Sequence, residues 1–423
     1  MSSNDKKQKS KVVDYKKQQN DKKTTADHMN GNVVVRQRRT RIPDKPHHSL
    51  SLWGILKNCI GRDLTKIAMP VHFNEPISFL QRNAEDFEYS DLLDKAAKCN
   101  DICEQFAYVM VFSSTAFSTC SDRVAKPFNP LLGETYEFDR SDDMKWKLIS
   151  EQVSHHPPIF AQHVESKNGW KAYQQLQIET RFRGKHISAI SNGYFRIDFE
   201  NTGATYTFNR PNFDVYNIIF GKMYVDIVGE VHFTGHNAAN GYKATLNYIP
   251  QTFFSKQPQR IIRGKIQDIQ NNVRLVVNGH WNEFITIARV NAIYHENKTE
   301  KYDTDEPVEI WRKRLPPPES QYYYHFTTFT CQLNEPEDGV APTDSRLRPD
   351  QRLMEEGRWD ESNHEKVRLE EIQRDRRKQN DDVVPLYFEK QPEEFCDTYV
   401  WKYIGNYWEN KANQDWKDSP KLW

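Results

Sequence analysis

The 423-residue chain has few cysteines and no long hydrophobic run. Its 6 cysteines form no Cys-x-x-Cys pair, so the sequence predicts neither a disulfide framework nor a zinc ribbon, and we interpret them as reduced thiols. No stretch approaches the roughly 18 consecutive apolar residues that a membrane-spanning helix needs. The N-terminus also lacks the apolar region of a signal peptide. We therefore expect a soluble, cytoplasmic protein.

Net charge is absent as well, because 59 Lys and Arg balance 59 Asp and Glu. Nucleic-acid binding depends on a broad basic surface, so we expect no nucleic-acid partner. An excess of lysine and arginine is confined to residues 1–49, which have almost no large apolar side chains. This segment cannot bury a core and is predicted to be a disordered basic tail. It is either a solvated tail or a contact for anionic membrane surfaces, worth about 1 kcal/mol per basic residue near the lipid.

Apolar residues at helical spacing begin abruptly after this tail and predict a short amphipathic helix at about 50–61. The residues on its apolar face are Leu52, Ile55, Leu56 and Ile60. An apolar stripe of this kind is typical of an ordinary core helix. Because the helix directly follows the tail and precedes the Met69-Pro70 break, we favour a detachable terminal element. Further helices with broad apolar faces are predicted at about 84–118.

The region from about 134 to 330 predicts consecutive antiparallel strands. Short alternating runs rich in Val, Ile, Thr, Tyr and Phe are separated by turn signals such as Asn168-Gly169 and Asn240-Gly241. So many strands without intervening helices must fold over as a sandwich or curl into a large barrel. A barrel of more than about eight strands leaves an interior that side chains alone do not fill. We expect one more strand at Tyr322 to Phe326.

The last part of the chain, from about 343 to 423, is predicted to form a helical subdomain. Ser362 and Glu365 have the spacing of a capping box, which predicts a helix from there to about Lys378. Three charged residues spaced four and four lie on one side of this helix: Lys366, Glu370 and Arg374. Taken alone, the same alternation is typical of an exposed helix with ion pairs along its surface.

The most unusual segment is EQVSHHPP, from Glu151 to Pro158. Two prolines follow His155 and His156, so the run cannot be helical. This argues against a zinc site with two histidines one helical turn apart, and we predict no metal site. The histidines either satisfy local backbone groups or bind an anion. Successive side chains of a plain strand point to opposite faces, so both reach one anion only if the backbone is distorted near the prolines, as we expect.

Glu151 to Pro158 resembles the fingerprint of the oxysterol-binding-protein-related family of lipid-transfer proteins. Lys126 to Glu134, KPFNPLLGE, is similar to a second signature of that family. Ser345 to Asp350, followed by the helix from Glu365 to Arg374, resembles a third. Tyr403 to Glu409, YIGNYWE, is similar to the end of the lipid-binding domain of the family.

This resemblance extends over residues 50–423, which are therefore expected to form one lipid-binding domain. It implies a mainly β, α+β fold, with a large incomplete antiparallel β-barrel around a lipid tunnel and an N-terminal lid. The implied ligands are phosphatidylinositol 4-phosphate and a sterol or another lipid, exchanged between membranes by a peripheral membrane protein that is not an enzyme and uses no cofactor. Because the residues before this domain leave no room for a pleckstrin-homology or ankyrin module, we expect a short form.

The resemblance also assigns residues. Lys126 and Asn129 would meet the inositol phosphate groups, and the paired histidines His155 and His156 would hold the 4-phosphate. The residues implied to line the entrance are Lys366, Glu370 and Arg374. The residues implied to contact the apolar part of the lipid from the lid are Leu52, Trp53, Ile55, Leu56 and Ile60.

Two other functions stay open. The same fold permits a lipid sensor or scaffold that changes partners when loaded. A lipid hydrolase or phosphatase would use His155 or His156 as acid or base, but no Gly-x-Ser-x-Gly elbow or Cys-x5-Arg loop accompanies them. The second lipid is equally open between a sterol, phosphatidylserine and others. An adaptor at the endoplasmic reticulum is undetermined, since residues 394–397 match the acidic two-Phe motif of many relatives poorly.

Overall fold

The structure, a computed structural model, describes residues 36–46, 70–121, 123–218, 223–250, 260–296, 299–379 and 383–423. The predicted lid helix lies outside these ranges, together with its residues Leu52, Trp53, Ile55, Leu56 and Ile60. The first 35 residues of the predicted tail also lie outside them.

The helices of the described chain fall into two groups, one before and one after the 14-stranded sheet. The α-helices are α1 (Phe79–Ala84), α2 (Asp91–Ala96), α3 (Ile102–Thr115), α4 (Thr328–Leu333), α5 (Pro349–Glu355), α6 (Trp359–Lys378) and α7 (Tyr407–Asn413). The 3-10 helices are Val71–Phe73, Glu85–Tyr89, Ser118–Ser121, Pro318–Tyr323 and Ser345–Leu347.

Most of the remaining chain is extended. The strands are β1 (Asn74–Ser78), β2 (Lys126–Phe128), β3 (Thr135–Arg140), β4 (Trp146–His155), β5 (Pro158–Ser166), β6 (Trp170–Phe182), β7 (Ile187–Phe199), β8 (Ala204–Phe208), β9 (Asn212–Tyr216), β10 (Tyr224–Asn237), β11 (Lys243–Tyr248), β12 (Ile261–Gln267), β13 (Val273–His280), β14 (Phe284–Glu296), β15 (Thr299–Thr304), β16 (Val308–Arg312), β17 (Phe388–Pro392) and β18 (Tyr399–Tyr403).

One sheet of 14 antiparallel strands, β3 to β16, dominates the fold. Neighbours in the sheet are mostly neighbours in the sequence, because an antiparallel pair needs only a short turn. β9 adds to both β7 and β10, and β14 pairs with both β15 and β16. Burial alternates along strands such as β6, where Trp170, Ala172 and Leu176 are buried between half-buried residues. The sheet stays open between β3 and β15, so the predicted mainly β fold with a large incomplete antiparallel barrel is confirmed.

Helix α3 packs against one face of this sheet, over β8, β11, β12 and β13. Its N-cap is Asp101, whose side chain accepts a hydrogen bond from the backbone N–H of Glu104 at 2.8 Å. Met110 of α3 comes so close to Gly264 of β12 that a Cβ at Gly264 would lie 2.9 Å from the Met110 sulfur. Glycine at this position therefore allows the helix and the sheet to approach each other.

Aromatic side chains fill the space between the first helices and the sheet. The ring of Phe87 lies 5.7 Å from Trp146, 6.0 Å from Trp170 and 5.6 Å from Phe112, centroid to centroid. All four residues are essentially inaccessible to solvent. Rings of this size bury large apolar areas and make this cluster a main contributor to the stability of the core.

Residues 37–46, here called the N-terminal strap, are packed against the body of the protein, so the prediction of disorder up to residue 49 is wrong for this stretch. Two nitrogens of the Arg39 guanidinium donate to the Glu355 carboxylate at 2.7 and 3.0 Å. Ile42 is 3% exposed, and the Lys45 backbone N–H donates to the Tyr322 carbonyl at 2.8 Å. The residues that the strap contacts lie hundreds of residues away in sequence. The composition of residues 37–46 alone therefore gives no sign of this packing.

We expect truncation to separate the strap from the rest of the predicted tail. Removing residues 1–36 should leave the free energy of unfolding nearly unchanged, because that segment lacks core residues. Removing residues 1–46 should lower it by about 3 kcal/mol or more, because the buried Glu355 carboxylate loses both hydrogen bonds from Arg39 and is left with Arg352 and Asn334, and because Ile42 no longer covers apolar surface. Denaturant unfolding of both truncated proteins measures the difference. Equal stabilities would show that the strap is not part of the fold.

Two local predictions in the second half of the chain are wrong. Helix α6 begins at Trp359 rather than after Ser362, because the Ser362 hydroxyl donates to the Asp350 carbonyl at 2.6 Å instead of capping the helix. The predicted strand at Tyr322 to Phe326 is the end of a 3-10 helix, with Tyr324 and His325 at positive φ of 64° and 57°. Its aromatic residues have high strand propensity, but a left-handed backbone cannot continue a strand.

The C-terminal region is not purely helical as predicted. Strands β17 and β18 form an antiparallel hairpin between α6 and α7. This hairpin lies against β5 and β6 of the large sheet. Among the described residues, no helix is both long and apolar enough to cross a bilayer.

Candidate functional site

Three segments that the sequence analysis singled out meet at one side chain, Gln373 of α6. The amide nitrogen Nε2 of Gln373 lies 2.8 Å from Nε2 of His155, in the EQVSHHPP segment. The amide oxygen of Gln373 accepts a hydrogen bond from the backbone N–H of Leu132, in the KPFNPLLGE segment, at 2.8 Å. The structure thus brings the paired histidines, the second signature and the charged helix together at one place.

A buried ion-pair network next to this meeting point joins the second and third signatures. The Arg348 side chain is 1% exposed and donates to the Glu134 carboxylate at 2.9 Å and to the Asp350 carboxylate at 2.7 Å. It also donates to the backbone carbonyl of Asn129 at 2.7 Å. Glu134 in turn accepts from the backbone N–H of Leu131 at 2.9 Å. These contacts fix the course of the loop that carries Asn129.

The paired histidines lie where the β4–β5 hairpin is distorted. The strand register shifts between Gln152 and Ser154, and the Gln152 amide donates to the Ser154 carbonyl at 2.8 Å. The rings of His155 and His156 are 4.7 Å apart in a T-shaped arrangement, and the His156–Pro157 peptide bond is cis. The predicted distortion is therefore confirmed. His155 is half-buried and His156 is exposed.

His155 is held in its neutral form by its surroundings. Burial is the largest cause, followed by the positive charges of His156, Arg377 and Arg348, and together they lower the pKa of His155 to about 4. Desolvation and like charge both disfavour an imidazolium. At neutral pH this ring is a neutral hydrogen-bonding group rather than a cation.

The three charged residues predicted to share one side of α6 differ in their surroundings. Lys366, whose side chain is 10% exposed, forms an ion pair with Glu370 at 2.6 Å, as expected for residues one turn apart. Arg374 is 57% exposed and pairs with Glu371 at 3.9 Å. The next residues toward His155 are Gln373 and Arg377. The role of Arg374 at the entrance therefore stays a prediction.

Gln373 was not among the predicted site residues, because a glutamine in a charged helix carries no strong signal. Its spacing did carry information, since it lies three residues after Glu370 and seven after Lys366 and shares their side of a helix. The family resemblance implied Arg374 instead, which is the next residue along the helix.

Lys126 is the first residue of the short strand β2, and Asn129 follows its last residue. β2 pairs in parallel with β1, with Lys126 opposite Asn74, and the Asn74 side-chain amide donates to the Pro127 carbonyl at 3.2 Å. Both Lys126 and Asn129 are exposed. Both belong to the KPFNPLLGE segment, in which the backbone N–H of Leu132 donates to Gln373.

Glu151, the first residue of the histidine segment, has a structural role that the sequence did not indicate. It is 1% exposed, and its carboxylate accepts from the backbone N–H groups of Leu386 and Tyr387 at 2.8 and 2.9 Å. Burial outweighs these backbone donors and raises the pKa of Glu151 to about 7. The segment that follows α6 is thereby attached to β4.

Glu151 should make stability depend on pH near neutrality. Its pKa is higher in the folded protein than the 4.5 of a free carboxyl, so the native state binds an extra proton and acidification from pH 8 to 6 should stabilise it by roughly 1 kcal/mol through this group. Glu151→Gln cannot titrate and should flatten the profile in this window. Urea unfolding of both proteins at pH 8 and 6 gives the comparison. A wild-type slope that the variant retains in full would contradict this role.

The weak acidic motif at residues 394–397 is engaged within the fold. The Phe395 ring stacks on His236 at 4.2 Å and lies 4.7 Å from the Arg196 guanidinium. Glu394 forms an ion pair with the same arginine at 2.8 Å. This phenylalanine is used for packing against the large sheet.

A metal-binding arrangement is not found in the described ranges, where no three His, Cys, Asp or Glu side chains converge on a common point. The chemistry that the site offers is recognition of an anion. It combines exposed basic side chains, imidazole nitrogens and a buried framework that holds them in place.

The sequence model of the family described as oxysterol-binding protein matches residues 51–412. Oxysterol-binding protein 2 of Mus musculus is 43% identical over 405 residues, which are 91% of this chain and 44% of that protein. Oxysterol-binding protein-related protein 1 of Homo sapiens is 35% identical over 415 residues, 89% of this chain and 43% of that protein. The chain thus spans less than half the length of these curated relatives.

Solved structures share the fold over nearly the whole chain. The crystal structure of the Osh1 ORD domain in complex with cholesterol has a TM-score of 0.82 at 33% identity, covering 92% of this chain and 95% of that one. The crystal structure of the Osh3 ORD in complex with PI(4)P from Saccharomyces cerevisiae has a TM-score of 0.78 at 34% identity, covering 92% of this chain and 99% of that one.

Proposed function

Because the chain belongs to the oxysterol-binding protein family, we propose that it binds one lipid at a time and exchanges phosphatidylinositol 4-phosphate for a sterol between membranes. The observation that carries this proposal is the meeting of the three signature segments at Gln373. Related structures that contain cholesterol and PI(4)P support the choice of ligands.

The headgroup site that we propose comprises Lys126, Asn129, His155, His156, Lys366, Glu370 and Arg374. A phosphate that leaves water needs several convergent charge-assisted donors. Lys366 is one such donor, and its pairing with Glu370 at 2.6 Å holds the ammonium group in place. The Glu370 carboxylate can in addition accept hydrogen bonds from inositol hydroxyls. His156 and Lys126 are both exposed.

The lid stays part of the proposal on sequence grounds alone. Its residues Leu52, Trp53, Ile55, Leu56 and Ile60 are proposed to cover the apolar part of the bound lipid. Burial of apolar surface would serve a sterol body and an acyl chain about equally well. Phosphatidylserine and other lipids are therefore alternatives for the second ligand.

We propose peripheral association with the cytoplasmic surface of anionic membranes. The last turns of α6 support this, since Arg374, Arg377 and Lys378 are all exposed there and lie close to the proposed headgroup site. Basic residues near anionic lipid each contribute about 1 kcal/mol, screened by salt. No reaction on the lipid is part of the proposal.

Lipid transfer between liposomes tests the function directly. Donor liposomes carry a fluorescent sterol, acceptor liposomes carry phosphatidylinositol 4-phosphate, and both lipids are followed with time. We expect the protein to move each lipid down its gradient, and sterol transfer to quicken when phosphatidylinositol 4-phosphate is present in the acceptor. Tight binding without transfer would favour the sensor, and release of inorganic phosphate or fatty acid would identify an enzyme. Mass spectrometry of co-purified lipids identifies the second ligand.

A further inference from the structure

The Gln373 side-chain amide has one orientation that satisfies both of its neighbours. The backbone N–H of Leu132 can only donate, so the atom that faces it at 2.8 Å must be the amide oxygen. The amide NH2 group therefore faces His155, with 2.8 Å between the two Nε2 atoms. An amide NH2 can only donate, so Nε2 of His155 must accept and carries no proton.

This assignment fixes the protonation of His155 in the ligand-free protein. A neutral imidazole that accepts at Nε2 carries its proton at Nδ1. Nδ1 is buried, so an anion that arrives from solvent cannot reach it. Neither ring nitrogen of His155 is therefore free to donate to an incoming anion.

The charged groups around His155 also favour its neutral form. His156 follows it on the hairpin, Arg348 precedes α5 and Arg377 lies on α6, and each positive charge disfavours an imidazolium at His155. Earlier in α6, the charges of Lys366 and Glu370 neutralise each other in an ion pair. A phosphate dianion placed among these groups would favour the protonated form of His155, because it adds negative charge next to the ring.

We propose that Gln373 is a positioning residue that keeps His155 neutral until a phosphate binds, and that phosphate binding exchanges the Gln373 contact for one proton taken up by His155. In this step the Gln373 amide leaves Nε2, Nε2 takes a proton from solvent, and the new N–H donates to a phosphate oxygen. Nδ1, which is buried, keeps its proton. The inference rests on the proposed headgroup site.

The two histidines then have different roles in the same site. His156 is exposed and can meet the phosphate first. His155 joins only after its contact with Gln373 is exchanged, so its contribution is coupled to pH and to the position of α6. The partner that this arrangement recognises is a phosphate monoester, whose second negative charge stabilises the imidazolium.

Nuclear magnetic resonance of the ligand-free protein with ¹⁵N-labelled histidine tests the role of Gln373 without any lipid. We expect the wild-type His155 signal, assigned by its loss in His155→Asn, to show Nδ1–H and to titrate below pH 5. In Gln373→Glu the carboxylate accepts from both Leu132 and His155, so the proton should appear at Nε2 and the pKa of His155 should rise by about two units or more. The same change at exposed Gln270, in the β12–β13 turn, should have no effect. A wild-type His155 that carries its proton at Nε2, or titrates near 6.5, would overturn the inference.

Calorimetry in two buffers of different ionisation enthalpy measures the proton that accompanies binding. The probe is short-chain phosphatidylinositol 4-phosphate at pH 7.5. Wild type should take up about one proton more than His155→Asn, because only wild type has the imidazole that is protonated when the phosphate binds. Equal uptake by wild type and His155→Asn would overturn the proton coupling and leave the proposed function standing. Failure of the wild type to bind the probe would overturn the proposed function and the coupling with it, while the resonance measurement would still decide the role of Gln373.

Discussion

Changing both His155 and His156 to alanine should abolish binding of phosphatidylinositol 4-phosphate and leave sterol affinity nearly unchanged. A buried phosphate that loses its hydrogen-bonded partners loses ~2 to 5 kcal/mol, which corresponds to roughly 30-fold to several thousand-fold in affinity. A neutral sterol has no charge that the imidazoles could meet. Lys126→Ala and Lys366→Ala should show the same selectivity, each removing one cation from the proposed site.

Paired binding of a labelled phosphoinositide and a labelled sterol measures both affinities for each variant. A matched control changes two histidines outside the proposed site, exposed His232 and His295 on β10 and β14. This control should bind both ligands like the wild type. If the His155 and His156 variant lost both affinities equally while folded, these histidines would have to be reclassified as structural.

Arg348→Ala should be the most destabilising single change in this region, at about 3 to 5 kcal/mol. The reason is that Arg348 is buried between the Glu134 and Asp350 carboxylates, and removing one member of a buried network leaves uncompensated charge in the interior. The Asn129 carbonyl would lose its donor as well. Phosphoinositide affinity should therefore fall together with the free energy of unfolding.

Arg358→Ala provides the comparison for Arg348. Arg358 pairs with Glu356 and Glu361, but all three side chains are at least 50% exposed. Solvent-exposed ion pairs contribute little to stability, so this variant should unfold at nearly the wild-type denaturant concentration. Similar losses of unfolding free energy in the two arginine variants would contradict the view that burial makes the Arg348 network important for stability.

Features of the fold that depend only on neighbouring residues were predicted correctly from local sequence patterns. Alternating burial along β6 and the bulge before His155 both follow from the geometry of single strands and hairpins, and both were expected from the sequence. Their physical causes, side-chain alternation and the restriction before proline, act within a few residues.

Several features were missed because the partner lies outside the local sequence pattern. Ser362 has the spacing of a cap, yet its hydroxyl is used by the carbonyl of Asp350. Arg39 belongs to a basic stretch, yet it pairs with Glu355 more than 300 residues away. Gln373 has no charge to attract notice, and only the packing of α6 against Leu132 and His155 gives it a role. Tertiary contacts of this kind leave no periodic signal.

The buried residues Glu134, Arg348 and Glu151 affect how a match to the family signatures should be interpreted. These residues belong to the segments by which relatives are recognised, but they are buried and hold the backbone rather than face a ligand. A descendant that stopped binding phosphorylated lipids would still need them to fold, because their loss leaves buried charge or unpaired backbone groups. Selection on the ligand would instead act at accessible positions such as Lys126 and His156. Divergence at those positions, within an intact signature, would mark a member of the family that has taken a different cargo.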